Sequence, residues 1–141
     1  PKLDPQLHGT TDSETFFVLA LSYGLMDNPK AAMQKMVTTA LQALNGLDKN
    51  GVLNLSCAIS DGKKLYAVRF SHNEAAMTQF VSSDRACLEE FTGKNPPLPS
   101  GSTIVVSEPL DNVSEKWTKI ANNTFTTIYR NDINTEPFMD D

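Results

Sequence analysis

Leu53-Asn54-Leu55-Ser56-Cys57-Ala58-Ile59-Ser60-Asp61-Gly62-Lys63-Lys64-Leu65-Tyr66-Ala67-Val68-Arg69-Phe70 is the stretch that decides the fold. Leu53, Leu55, Cys57 and Ile59 alternate with Asn54, Ser56 and Ala58, the period of two expected of a half-buried strand. Asp61-Gly62 is a two-residue turn signal, because both residue types tolerate the positive φ that hairpin turns need. Leu65, Ala67 and Arg69 then alternate with Tyr66, Val68 and Phe70 in a second strand that is apolar at most positions. The segment therefore predicts a β-hairpin. Cys57 shares a face with Leu53, Leu55 and Ile59 and reads as a small core residue. A nucleophilic thiol needs a base beside it, and none accompanies Cys57 in the strand.

Upstream of the hairpin the period is 3.6. A first helix is expected over residues 12–24, with Phe16, Phe17, Ala20 and Leu21 on its apolar face and Gly24 near its end. Asp27-Asn28-Pro29 starts a second helix over residues 29–44. There Met33, Met36, Val37, Ala40, Leu41 and Leu44 form an i, i+3, i+4, i+7 stripe, and Asn45-Gly46 is its stop. A methionine stripe can line a promiscuous binding groove, but at this spacing it reads as core. Downstream, residues 75–80 suggest a short helical turn and Pro96-Pro97-Leu98-Pro99 a connecting loop. Residues 103–106 read as a buried strand, 121–123 as a turn after Ile120, and 124–129 as a last strand. Residues 1–8 form a polar lead-in, and 131–141 read as a polar, frayed tail. Two helices followed by strands predict an α+β fold with an antiparallel sheet backed by helices.

The bulk properties narrow the function. A chain of 141 residues is one domain by length, long enough to bury a core. Its net charge of −5, with Lys and Arg scattered and no basic run longer than Lys63-Lys64, argues against a nucleic-acid partner. No apolar run is long enough to span a bilayer and no signal peptide is visible, so a cytoplasmic, membrane-free protein is the expectation. Cys57 and Cys87 are too few for a disulfide scaffold; they could pair with each other, but in a reducing compartment they read as free thiols. Two histidines and two cysteines far apart in sequence offer no metal-ligand spacing, and no cofactor motif is present.

The richest chemistry lies at His8-Gly9-Thr10-Thr11-Asp12-Ser13-Glu14, directly before the run Phe16-Phe17-Val18-Leu19-Ala20-Leu21. Hydroxyls and acids at a helix start are a capping signal, but one threonine is enough to cap a helix. A carboxylate held at a helix mouth can also receive the ammonium group of a small ligand. This string resembles the Gly-Thr-Thr-Asp-Ser-Glu segment of class II glutamine amidotransferases. Three further segments fit that family in order: the Asp61-Gly62 hairpin after an Asn-bearing strand, Val106-Ser107-Glu108-Pro109-Leu110, and Trp117 followed by a turn and a final strand. The resemblance runs from His8 to about Ile128. Within the family it is nearest the ergothioneine-pathway amidohydrolase and the glutathione-degrading amidotransferase subunit.

The resemblance implies a hydrolase and transferase chemistry on glutamine or a γ-glutamyl compound. Members have the N-terminal-nucleophile (Ntn) hydrolase fold, an αββα sandwich, of which residues 1–141 would be the C-terminal half. The thiolate of an N-terminal cysteine attacks the side-chain amide, its own α-amino group acts as base, and an Asn-Gly pair forms the oxyanion hole. Asp12 would receive the substrate α-ammonium group, with Thr11 and Ser13 holding that carboxylate or capping its helix. No residue of this chain matches the nucleophile, so the resemblance implies no catalytic residue here. Activity as an enzyme is expected only when a missing N-terminal half, or a partner chain, supplies the cysteine. A module that keeps the fold and has lost the chemistry is the alternative. Pro1 could instead act as a secondary-amine base, as in the tautomerase superfamily, but Lys2-Leu3-Asp4-Pro5-Gln6 shows no strand pattern to hold it.

Overall fold

The structure, a computed structural model, describes residues 9–47, 50–72, 77–82, 102–130 and 132–140. The lead-in at 1–8, Cys87 and the proline loop at 96–99 lie outside the described residues. The chain divides into two compact units, residues 1–53 and 54–141.

The first unit is a helix pair. Helix α1 (Asp12–Ser22) begins at the Thr11 cap and ends in a Schellman motif. The Gly24 N–H bonds the Leu21 carbonyl and the Leu25 N–H bonds that of Ala20. Gly24 sits at φ +88°, where a side chain would be strained, and Leu25 is buried beneath the turn. Helix α2 (Pro29–Leu47) is capped by Asn28, whose Oδ1 accepts from the Ala31 N–H at 3.2 Å. Pro29 occupies the first helical position, where its missing N–H costs nothing. A hydroxyl bond of 3.0 Å between Tyr23 and Thr39 ties the end of α1 to α2. Met33, Met36 and Val37 are buried, as the stripe predicts. On α1 the buried residues are Val18, Leu19 and Ala20, whereas Phe17 is 47% exposed, so the expected apolar face is displaced. The Phe16–Leu21 run is apolar on every side, and packing rather than period selects its inner face. The α2 helix also passes through Asn45-Gly46 to Leu47. Gly46 has open space around it there, and the last turn is exposed.

The second unit contains two antiparallel sheets. Strands β1 (Asn54–Ser60) and β2 (Leu65–Ser71) form the expected hairpin. Its connection is four residues, not two, since Ser60 pairs with Leu65. The Asp61 Oδ1 accepts from the N–H groups of Lys63 at 2.8 Å and Lys64 at 2.6 Å, and Gly62 takes φ +86°. An Asx turn therefore satisfies the donors that a longer loop would leave open. Strands β6 (Thr124–Tyr129) and β7 (Asp132–Pro137) complete a sheet of order β1-β2-β6-β7. The smaller sheet has order β4-β3-β5, from β3 (Phe80–Ser82), β4 (Val105–Val106) and β5 (Trp117–Lys119). Ala67 and Ile128 of the larger sheet pack on Val81 and Ile120, with Leu65 and Val105 at the edge, so the two sheets face one another.

Buried polar groups lock this arrangement. The Arg69 Nε donates to the Met77 carbonyl at 2.7 Å and its Nη1 to that of Ile120. Gln79 donates through Nε2 to the Cys57 carbonyl at 3.1 Å. Three expectations are corrected here. Residues 77–79 carry no helix and Phe80 opens a strand, because Phe80-Val81-Ser82 can pair on both sides. The strand expected over 103–106 is confined to Val105 and Val106 and is half-buried. Residues 132–137 form β7 rather than a frayed tail, and Phe138 behind it is fully buried. The Asn123 side chain holds it there, accepting from the Met139 N–H at 2.8 Å and donating to the Met139 carbonyl at 2.9 Å.

Candidate functional site

The start of α1 is built from side chains that each satisfy a backbone donor. The Thr11 Oγ1 accepts from the Glu14 N–H at 3.3 Å, filling the cap position. Glu14 closes the reciprocal arm of a capping box, but its Oε2 accepts from the Gly9 N–H at 2.7 Å, two residues before the cap. A Cβ on Gly9 would lie 2.5 Å from that oxygen, so a larger residue here would displace the Glu14 carboxylate. The carboxylate of Asp12 is held differently. Its Oδ1 accepts from the Ser13 N–H at 2.7 Å and from the Ser13 hydroxyl at 3.3 Å. Its Oδ2 accepts no hydrogen bond from the described residues, and the side chain is exposed.

Thr11, Asp12 and Ser13 are thus brought together, with distinct parts. Thr11 caps the helix, and Ser13 fixes one oxygen of Asp12. The other oxygen projects from a helix N-terminus whose backbone N–H groups favour an anionic side chain there. A carboxylate oriented in this way can accept a cationic donor such as a primary ammonium at little ordering cost. The return of Glu14 to Gly9 is legible in the sequence only as acid three residues after a threonine; its partner depends on the entry path of the chain.

The other motif segments meet in the second unit. The Thr78 hydroxyl donates to the Glu108 carboxylate, which ties Ser107-Glu108-Pro109-Leu110 to the start of β3. The Trp117 indole donates to the Asp111 Oδ1 at 2.9 Å, and Trp117 packs on Phe80, Ile104 and Val106. Hydrogen bonds from Trp117, from the Val113 N–H and from Lys116 hold the Asp111 carboxyl below its usual range. Burial pushes the Cys57 thiol up to about 11, so it is protonated near neutral pH. Among the described residues no group of three or more His, Cys, Asp or Glu side chains could hold a metal ion, and no helix is long and apolar enough to cross a membrane.

No family model matches the chain, and no curated protein matches it. Among solved structures it is similar to a glutamine aminotransferase class-II domain protein from Silicibacter pomeroyi, with 29% sequence identity and a TM-score of 0.77. The match covers 92% of this chain and 52% of that one, so the chain spans about half the length of the solved protein. With helices first, antiparallel sheets after them and this similarity, the chain is α+β and like a class II glutamine amidotransferase domain.

Proposed function

We propose that residues 1–141 form the C-terminal part of a class II glutamine amidotransferase-like amidohydrolase acting on glutamine or a γ-glutamyl compound. In this reading Asp12 receives the substrate α-ammonium group. The observation that carries it is the Asp12 carboxylate itself, fixed through one oxygen and open at the other, on a chain similar to a class II domain protein. A γ-glutamyl substrate presents a zwitterionic end, and an ammonium group beside an oriented carboxylate makes a charge-assisted hydrogen bond. The nucleophilic cysteine, its α-amino base and the oxyanion donors come from a segment or partner chain beyond these residues. Cys57 does not serve, being half-buried and protonated near neutral pH.

The test is Asp12→Asn in the full-length protein, reading glutamate release from glutamine and from a γ-glutamyl amide. Asn retains the acceptor for the Ser13 N–H, so melting temperature stays within a degree or two of the parent. Loss of the charge lowers kcat/KM by about 10- to 100-fold, mostly through KM, which corresponds to about 1.5–3 kcal/mol for a hydrogen bond to a charged group. Unchanged kcat/KM in Asp12→Asn refutes the role of Asp12. Absence of amide hydrolysis in the full-length parent instead favours a non-catalytic module that keeps the fold.

A further inference from the structure

We infer that the end of the four-stranded sheet bearing the β1–β2 and β6–β7 turns holds a binding site for a small phosphate-type oxyanion, with Lys63, Lys64 and Arg130 as its cationic groups. A cavity of about 200 Å³ opens there, lined by these three residues together with Ser60, Gly62 and Thr103, and, among the described residues, by no acidic side chain. The sheet register creates it: Leu65, directly after the β1–β2 turn, pairs with Ile128, two residues before Arg130. Three cations around one small cavity are unusual in a chain of net charge −5, and in the absence of an anion they repel one another.

The neighbouring carboxylate of Asp61 offsets at most one of the three positive charges, so the cluster keeps a positive excess. Asp61 has Oδ1 occupied by the Lys63 and Lys64 N–H groups and Oδ2 by the Tyr66 hydroxyl at 2.9 Å. Arg130 is held by its own turn. Tyr129 pairs with Asp132, so Arg130 occupies the first position of a two-residue hairpin turn, at φ +56°. Asn or Gly is the ordinary occupant of such a position, and Arg there carries strain. Its guanidinium stands 5.2 Å from the centroid of the Tyr129 ring, which restricts its rotamers and leaves its donors for a ligand. A planar fork with two point charges beside it is the chemistry that recognises a phosphate group. The cavity has room for inorganic phosphate or pyrophosphate.

Calorimetric titration of the full-length protein with inorganic phosphate and with pyrophosphate, at low ionic strength against a chloride-matched control, tests this. Saturable binding with a Kd of about 1 mM or tighter is expected for one of the two anions. The Lys63→Gln/Lys64→Gln double variant and Arg130→Asn each weaken it by about tenfold, as loss of charge-assisted contacts requires. Arg130→Asn is the decisive variant, since Asn suits the positive φ and the turn is retained or strengthened. Lys35→Gln on the exposed side of α2 leaves binding unchanged. Failure of both anions to saturate, persistence of binding in Arg130→Asn, or an equal loss in Lys35→Gln overturns the proposal.

Discussion

Replacement of Phe138 by alanine measures whether the C-terminal segment belongs to the core. Phe138 is fully buried, 5.8 Å edge-on from Phe70 of β2 and 6.4 Å in a stacked arrangement from Phe125 of β6. Truncating a buried phenylalanine to alanine costs about 3–5 kcal/mol, through lost transfer energy and the cavity left behind. Each aromatic pair accounts for about 0.5–1.5 kcal/mol within that range. A domain of this size is stable by about 5–15 kcal/mol, so Phe138→Ala still folds but loses a large fraction of its margin. With a urea slope of about 2 kcal/mol per molar, a loss near 4 kcal/mol moves the unfolding midpoint down by about 2 M. Circular dichroism against urea reads this directly. Ile133→Ala on β7, the strand that leads into Phe138, is the control: Ile133 is 44% exposed, and its loss stays within about 1 kcal/mol. A midpoint shift under about 0.5 M in Phe138→Ala, equivalent to about 1 kcal/mol, refutes the packing argument and returns residues 132–140 to a frayed tail.

Burial raises the Cys57 thiol to about 11, so the folded state holds its proton where the unfolded chain loses it, from pH 9 upward. Its contribution to stability is present below pH 9 and is lost as pH rises through the folded value, by about 2–3 kcal/mol, and stability measured in Cys57→Ala lacks that part of the slope. The Asp61 carboxyl is held low by the Lys64 and Lys63 N–H groups, so its contribution is present above the ordinary carboxylate range and disappears as pH falls through the depressed folded value. Burial, and then the bond to Asp61, raises the Tyr66 phenol, and in Asp61→Asn an NMR titration finds that phenol lowered part of the way toward 10. Trp117 is the single tryptophan, so its fluorescence reports on Asp111. The emission changes on acidification with a midpoint below the ordinary aspartate value, and Asp111→Asn abolishes that transition.

The elements most legible in the sequence are those whose cause is local. Asn28-Pro29 caps and starts α2 with neighbours within four residues, and Gly24 ends α1 through its own backbone freedom. The β1–β2 hairpin follows from strict alternation, although the length of its turn depended on what the Asp61 carboxylate would bond. The candidate site is local as well: Thr11, Asp12, Ser13 and Glu14 act on one another or on nearby backbone, so a string of seven residues displays the chemistry.

Residues joined across long separations could not be read that way. Strand β7 is polar along Asp132, Asn134, Thr135 and Glu136 because it is an edge strand facing water, and only Phe138 hints that it is anchored. Which face of the Phe16–Leu21 run is buried was settled by packing, since every face is apolar. The pairing of Phe80-Val81-Ser82 with both Val105-Val106 and Trp117-Thr118-Lys119 exists only once the chain has returned to it twice. The Lys63, Lys64 and Arg130 cluster likewise comes from the β2–β6 register and not from a basic run. Local hydrogen bonding and side-chain period therefore determined the helix caps, the hairpin and the bonding around Asp12 from sequence alone. The edge strand, the sheet-to-sheet core and the cationic cavity were decided by tertiary structure, because their defining contacts join residues that sequence spacing leaves unrelated.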